Sequence, residues 1–169
     1  MFQLDPTLPE PLYPLAWLVG TWTGLGVVDF PTMDETRFAQ ELEFTHDGRG
    51  FLEYRSRTWL LDDDNRRVRP LATESGYWRP TGPAEHGGTD LEVLLTHPTG
   101  FVEIYVGSID GPRARLSTDL VARTATAKDY SAATRMYGLV EGDLLWVMDM
   151  SAMGHSLSSH ASARLTRTS

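Results

Sequence analysis

The 169-residue chain contains no cysteine. That absence excludes a disulfide framework, thiolate zinc sites, cysteine-held iron–sulfur clusters, cysteine nucleophiles and haem attached through thioethers. Lysine is nearly missing too: Lys128 is the single one, and the formal net charge is −8. With no basic patch to neutralise phosphates, nucleic acid is not an expected partner. No apolar run approaches the roughly 20 residues of a membrane helix, and no charged-then-apolar leader opens the sequence. The expectation is a protein without membrane contact, in a reducing cytoplasm. What chemistry remains must come from histidine, carboxylates or a bound cofactor.

The length suits one domain over residues 1–169 with a full hydrophobic core, preceded by a flexible tail over residues 1–8. Leu12, Leu15, Ala16 and Val19 recur at helical spacing among Pro9, Pro11 and Pro14. Prolines of that density fit a first turn or a 3₁₀ piece. After Gly20 the pattern has the period of strands. Phe38, Leu42 and Phe44 alternate with Arg37, Glu41 and Glu43; Leu52, Tyr54, Thr58 and Leu60 alternate with Glu53, Arg55 and Arg57. Val102, Ile104 and Val106, then Leu116, Thr118 and Leu120, then Leu144, Trp146 and Met148 continue the series. Turn signals recur about every ten residues, at Asp47-Gly48, Asp62 to Asn65, Pro80 to Pro83, Gly87-Gly88, Pro98 to Gly100 and Glu141 to Asp143. This predicts an all-β protein, a sandwich or a barrel. The barrel is preferred, because a short helix before a long meander can plug one end and closure removes the sheet edges. An antiparallel up-and-down barrel of eight to ten strands has room for one small ligand.

Gly20-Thr21-Trp22-Thr23-Gly24-Leu25-Gly26 opens the first strand. Gly20, Gly24 and Gly26 permit close backbone approach or a sharp bend, and Trp22 suits the closed end of a barrel. No helix start follows, so this is not a phosphate loop. The segment runs on into Phe30-Pro31-Thr32. Further elements follow in Leu42 to Gly48, Phe51 to Tyr54, Arg57 to Trp59, Glu74 to Tyr77, Pro98 to Gly100, Arg123 to Lys128, Arg135 to Tyr137, Asp149-Met150 and His160 to Leu165. In this order and over nearly the whole chain, the sequence resembles the nitrobindin family, whose members are ten-stranded, lipocalin-like haem-carrying barrels.

That resemblance implies one non-covalently bound haem b per subunit with a stable ferric form. It also implies nitric oxide binding, isomerisation of peroxynitrite to nitrate, and a homodimer. His160 falls at the family's proximal position, as axial ligand to the haem iron and the residue through which catalysis would run. Lys128, in a Thr-Ala-Lys element, matches a cation beside a haem propionate or an anionic reactant; a solvated strand end is the alternative. Thr32 either lines the pocket or shapes a turn. The chain departs from the pattern at Pro70-Leu71-Ala72-Thr73-Glu74, where Ala72 stands at the place many relatives give to a distal histidine.

The other histidines read differently. His86 lies in a glycine-rich loop, His97 precedes Pro98 and starts a turn, and His46 sits at a hairpin tip. His155 and His160 are not at the i,i+4 spacing of a helical metal pair, so a zinc site is not expected. Strand alternation groups His160 with Ser162 and Arg164, opposite Ala161, Ala163 and Leu165, which turns it from the core. A haem ligand here therefore needs a bulge, a strand start or a site at the barrel mouth, and the mouth is expected. Met33, Met136, Met148, Met150 and Met153 fit core filling or the wall of an apolar cavity. Two rival functions stand beside the haem enzyme: a haem-free barrel carrying a small lipophilic ligand, and a haem-free interaction domain. No Gly-x-Ser-x-Gly elbow is present, and Glu41, Glu43 and Glu53 read as solvated strand faces, against hydrolase chemistry.

Overall fold

A computed structural model describes residues 5–169. A 3₁₀ helix over Glu10–Leu18 is followed by ten strands: β1 Gly20–Phe30, β2 Met33–Thr45, β3 Leu52–Leu61, β4 Arg67–Pro83, β5 Thr89–His97, β6 Phe101–Asp110, β7 Arg113–Arg123, β8 Tyr130–Val140, β9 Asp143–Ala152 and β10 Ser158–Arg167. Each pairs antiparallel with its sequence neighbour, and β1 pairs with β10 to close the barrel. The all-β up-and-down barrel expected from alternation is the fold observed. No helix among the described residues is long and apolar enough to cross a membrane.

The 3₁₀ helix seals one end. Pro14 inside it removes a backbone donor, which favours a short tight helix over an α-helix. Leu12, Leu15 and Leu18 are fully buried with Trp22, Phe44, Leu52, Trp78 and Leu165. The Trp22 indole N–H donates to the Leu18 carbonyl at 2.8 Å, and the Arg167 guanidinium stacks over the Trp22 ring at 4.1 Å. Residues 5–8, expected within a flexible tail, are instead held: Leu8 is buried, and Asp5 meets the His46 ring at 3.0 Å. Contact with the barrel replaces the freedom the sequence suggested; residues 1–4 lie outside the described part.

The glycines of β1 let β10 and β2 approach. A Cβ on Gly26 would meet Phe38 Cζ at 2.4 Å, the Ser162 carbonyl at 2.4 Å and Ala163 Cβ at 2.8 Å. Gly26→Val is therefore expected to cost at least the roughly 1–3 kcal/mol of an overpacked core, read as a lower urea midpoint with an unchanged slope.

Two local expectations are overturned. Pro80 to Pro83 is the end of the long strand β4, carried past its partner by a register shift between Pro80 and Gly82; the turn falls at 84–88. In β6, Val102 and Val106 face solvent, while Phe101, Glu103, Tyr105 and Ile109 turn inward. Both rows of β6 carry apolar residues, so alternation alone did not choose the face.

Candidate functional site at the open end

The end opposite the helix is bordered by the turns at 31–32, 62–66, 98–100, 124–129 and 153–157. Inward residues there keep partial exposure, unlike the sealed end: Phe101, Val121, Met148, Met150 and Ala161 pack against the core while remaining accessible. The wall is also loosened between β7 and β8, which pair with each other only over Arg113–Ser117 and Thr134–Gly138, while their other edges stay laddered to β6 and β9. Among these residues Ala72 lies opposite Thr58 and is exposed, so no imidazole projects from that position.

His160 sits at this end. The β10–β9 register shifts between Ser159 and Ala161, making His160 the extra residue of a bulge. A bulge releases a side chain from strand parity, which resolves the conflict between His160 and its neighbours. Its Nδ1 lies 2.9 Å from the Asp29 carbonyl, an acceptor only, so the ring proton stays on Nδ1 and the Nε2 lone pair is left available. Burial pushes the His160 pKa down; the Asp29 carbonyl opposes this, and the charges of Arg135 and Lys128 reinforce it. The ring is thus a neutral imidazole with a fixed tautomer, the state that ligates iron. Phe30 holds it edge-on at a centroid distance of 5.9 Å and meets His155 in the same way at 5.6 Å, between them.

Thr32 and Lys128 reach the same end. Thr32 is exposed in the β1–β2 turn, two residues beyond Phe30, and Lys128 is exposed in the β7–β8 loop. The Lys128 carbonyl accepts from Arg123 Nη1 at 3.2 Å, which anchors the loop, and the Lys128 charge is felt at His160. Gly20, Trp22, Gly24 and Gly26 do not join them; they belong to strand contacts and to the sealed end.

Beneath the open end lies a polar layer that sequence reasoning did not find. Arg135 grips Glu74 with two parallel hydrogen bonds, 2.8 and 2.9 Å, and donates to the Tyr105 hydroxyl at 3.0 Å. Glu103 accepts from the hydroxyls of Tyr105 and Tyr130 and meets His97 Nε2; Tyr54 donates to Glu74 at 2.5 Å. His97 does end β5, as its position before Pro98 suggested, but its ring is nearly buried and stacks on Phe101 at 3.9 Å. Burial raises the Glu74 pKa, yet the charge and hydrogen bonds of Arg135 outweigh it and hold the carboxyl at about 2. Glu103 is likewise lowered, burial being overcome by His97 and Arg135. Glu74, His97 and Glu103 bring potential ligand atoms within 4.8 Å of one another, but Arg135 already supplies the cation. The signal was present as a charge inside an aromatic row: Glu103 between Phe101 and Tyr105, and Arg135 two residues before Tyr137.

A closed antiparallel barrel, sealed by a helix at one end and presenting a neutral, Nδ1-anchored imidazole beside apolar side chains at the other, has the make-up of a haem-carrying barrel. Residues 11–167 match the family described as the THAP4-like, heme-binding beta-barrel domain. The chain belongs to that family. It is 54% identical to a ferric nitrobindin-like protein of Kineococcus radiotolerans over 95% of each chain. It is 44% identical to a peroxynitrite isomerase of Leifsonia xyli subsp. xyli over 99% of each. Among solved structures, Rv2717c from M. tuberculosis superposes with a TM-score of 0.80 at 31% identity, covering 99% of this chain and all of that one.

Proposed function

We propose that this protein binds one haem b per subunit through His160 Nε2 and isomerises peroxynitrite to nitrate, with nitric oxide as a further ligand. The observation that carries the reading is the bulged His160, neutral, Nδ1-anchored and with Nε2 unused at the open end. A bound ferric haem supplies a Lewis-acidic centre at which the peroxynitrite O–O bond can rearrange. The chain's own residues do the rest. The Asp29 carbonyl fixes the imidazole tautomer and Phe30 its tilt. Met148, Met150, Val121 and Ala161 offer apolar contact that excludes water. Lys128 supplies a cation for a propionate or an approaching anion, and Thr32 borders the rim. With Ala72 in place of an imidazole, the opposite side offers no hydrogen bond from that position, so confinement rather than proton donation does the work there.

The names of the relatives support the isomerase reading: the proteins of Leifsonia xyli and of Nocardioides are peroxynitrite isomerases, 44% and 45% identical to this chain. A homodimer finds its support in the exposed apolar outer faces of β6 to β9, at Val102, Val106, Leu120, Met136 and Val147. The test is stopped-flow decay of peroxynitrite with nitrate quantified as product. Hemin-loaded protein is expected to speed decay and raise the nitrate share over both free hemin and apoprotein; equal yields would sink the reading. Lys128→Ala is expected to weaken hemin uptake by about 3- to 10-fold, in keeping with the roughly 0.5–1.5 kcal/mol of an exposed charged contact. The loss should shrink at high salt.

A further inference from the structure

Across the barrel from His160 stands a small side chain. Strand β4 is the fourth from β10 going round through β1 and the sixth going through β9, so the two lie on nearly opposite walls. Both walls rise from one floor. Ala161 lies beside Met148 and Met148 beside Arg135, whose side chain crosses the interior to Glu74 of β4. His160 is one residue nearer the open end than Ala161, and Ala72 is two residues nearer it than Glu74. Residues two apart in a strand share a face, so Ala72 points inward with Glu74. It is nevertheless exposed, which means that open space lies in front of its methyl group.

The wall around Ala72 is apolar. The register of β3 against β4 shifts from Thr58–Ala72 to Trp59–Pro70, which makes Leu71 an extra residue that packs against the core. The Thr58 hydroxyl accepts from the Ala72 N–H at 3.1 Å and donates to the Ala72 carbonyl at 3.3 Å, so its proton is already used. On the floor, Glu74 and Arg135 neutralise each other through two hydrogen bonds. An apolar wall over a paired floor suits a neutral molecule better than an ion. We propose that the space in front of Ala72 is a subsite for a neutral organic ligand with one lone-pair nitrogen, an azole with an apolar substituent, and that the single methyl group of Ala72 admits it. This rests on the haem reading above and deepens it: the nitrogen faces the group held at His160, and the substituent lies along Leu71, Ala72 and the Thr58 methyl. A larger side chain at position 72 fills that space and leaves room only for ligands of a few atoms.

The test is spectrophotometric titration of hemin-loaded protein with 4-phenylimidazole and with cyanide, at a pH where the azole is neutral. Wild-type protein is expected to bind both. Ala72→Leu is expected to weaken 4-phenylimidazole at least about tenfold, the scale on which an apolar pocket discriminates by one methylene, and to leave cyanide unchanged. Thr73→Leu alters the adjacent residue, which is exposed on the outer face beside Arg57, and should leave both ligands unchanged. If Ala72→Leu fails to fold, Ala72→Val carries the same test with a smaller loss in the same direction. Wild-type protein that binds cyanide but not 4-phenylimidazole overturns the proposal while leaving haem binding intact. So does an Ala72→Leu variant that keeps its 4-phenylimidazole affinity or loses both ligands equally, and so does an equal loss in Thr73→Leu. Wild-type protein that takes up no hemin overturns the haem reading and this inference with it.

Discussion

Hemin affinity is expected to fall by more than about 100-fold in His160→Ala, with the Soret band of the loaded protein lost, while His155→Ala keeps both. The magnitude follows from rank: outer-shell partners of a metal-bound histidine alone are worth about 10–100-fold, and here the ligand itself is removed. The two substitutions are a matched pair. Both rings lean on Phe30 at nearly the same distance, 5.6 and 5.9 Å. They differ in that His160 stands at the bulge with its Nδ1 on the Asp29 carbonyl, whereas His155 is exposed in the β9–β10 turn. Loss of the band in both would point to general damage at the rim. Retention in both would favour a carrier of lipophilic ligands, since apolar side chains at the open end would then suffice. Absorption spectra of the two variants across a hemin titration separate these outcomes.

The second large effect is on stability. Arg135→Leu is expected to destabilise the fold by about 3–5 kcal/mol, because removing one partner leaves buried carboxylates uncompensated. Against a total of roughly 5–15 kcal/mol for a domain, that is a large share, and the melting temperature should fall by about 10 °C. Both oxygens of Glu74 lose their charged donor at once, Oε1 keeping only the Tyr54 hydroxyl, and the Tyr105 hydroxyl loses the Arg135 Nε–H. Replacing Glu74, Glu103 and Arg135 together by leucine should recover most of the loss, since the penalty lies in the unpaired charge and not in the missing volume. A cost below about 1 kcal/mol for Arg135→Leu, the scale of an exposed pair, would mean that the layer is reached by water and the pairing is weak. Denaturant unfolding followed by tryptophan fluorescence measures both.

The same layer predicts the acid limb of stability. Glu74 is held at about 2, against 4.5 for the ordinary glutamate. A carboxyl lowered in the folded state contributes stability that is fully present above its unfolded value and is lost as the pH falls through the folded one. Stability should therefore decline between about pH 4.5 and 2. Glu74→Gln should flatten that limb.

Period-2 alternation was enough to place most strands, and a helix signal confined to residues 12–19 was enough to place the plug. These are local properties: each strand reports its own buried face, and the turns supply their own glycines and prolines. Where both faces of a strand are apolar, as at Phe101 to Ile109, the local rule has nothing to choose between, and barrel closure made the choice. His160 shows the limit from the other side. Its neighbours' parity turned it outward, and only the register of β9 against β10 revealed the bulge that frees it.

The family motifs likewise singled out His160, Lys128 and Thr32, one on a strand and two in loops, but not how they come together. That depends on turns from opposite ends of the chain meeting at one rim. The polar layer was further out of reach. Glu74 and Arg135 are 61 residues apart and meet only across the interior of a closed barrel; a lone charge in an aromatic row signals burial without naming its partner. The sequence by itself determined the barrel and its plug, because alternation, punctuation and residue type are written residue by residue, and its likeness to the family singled out one imidazole as candidate ligand. Tertiary structure alone decided which way that imidazole points and which charges lie beneath it, because register and cross-barrel pairing are properties of strands taken together.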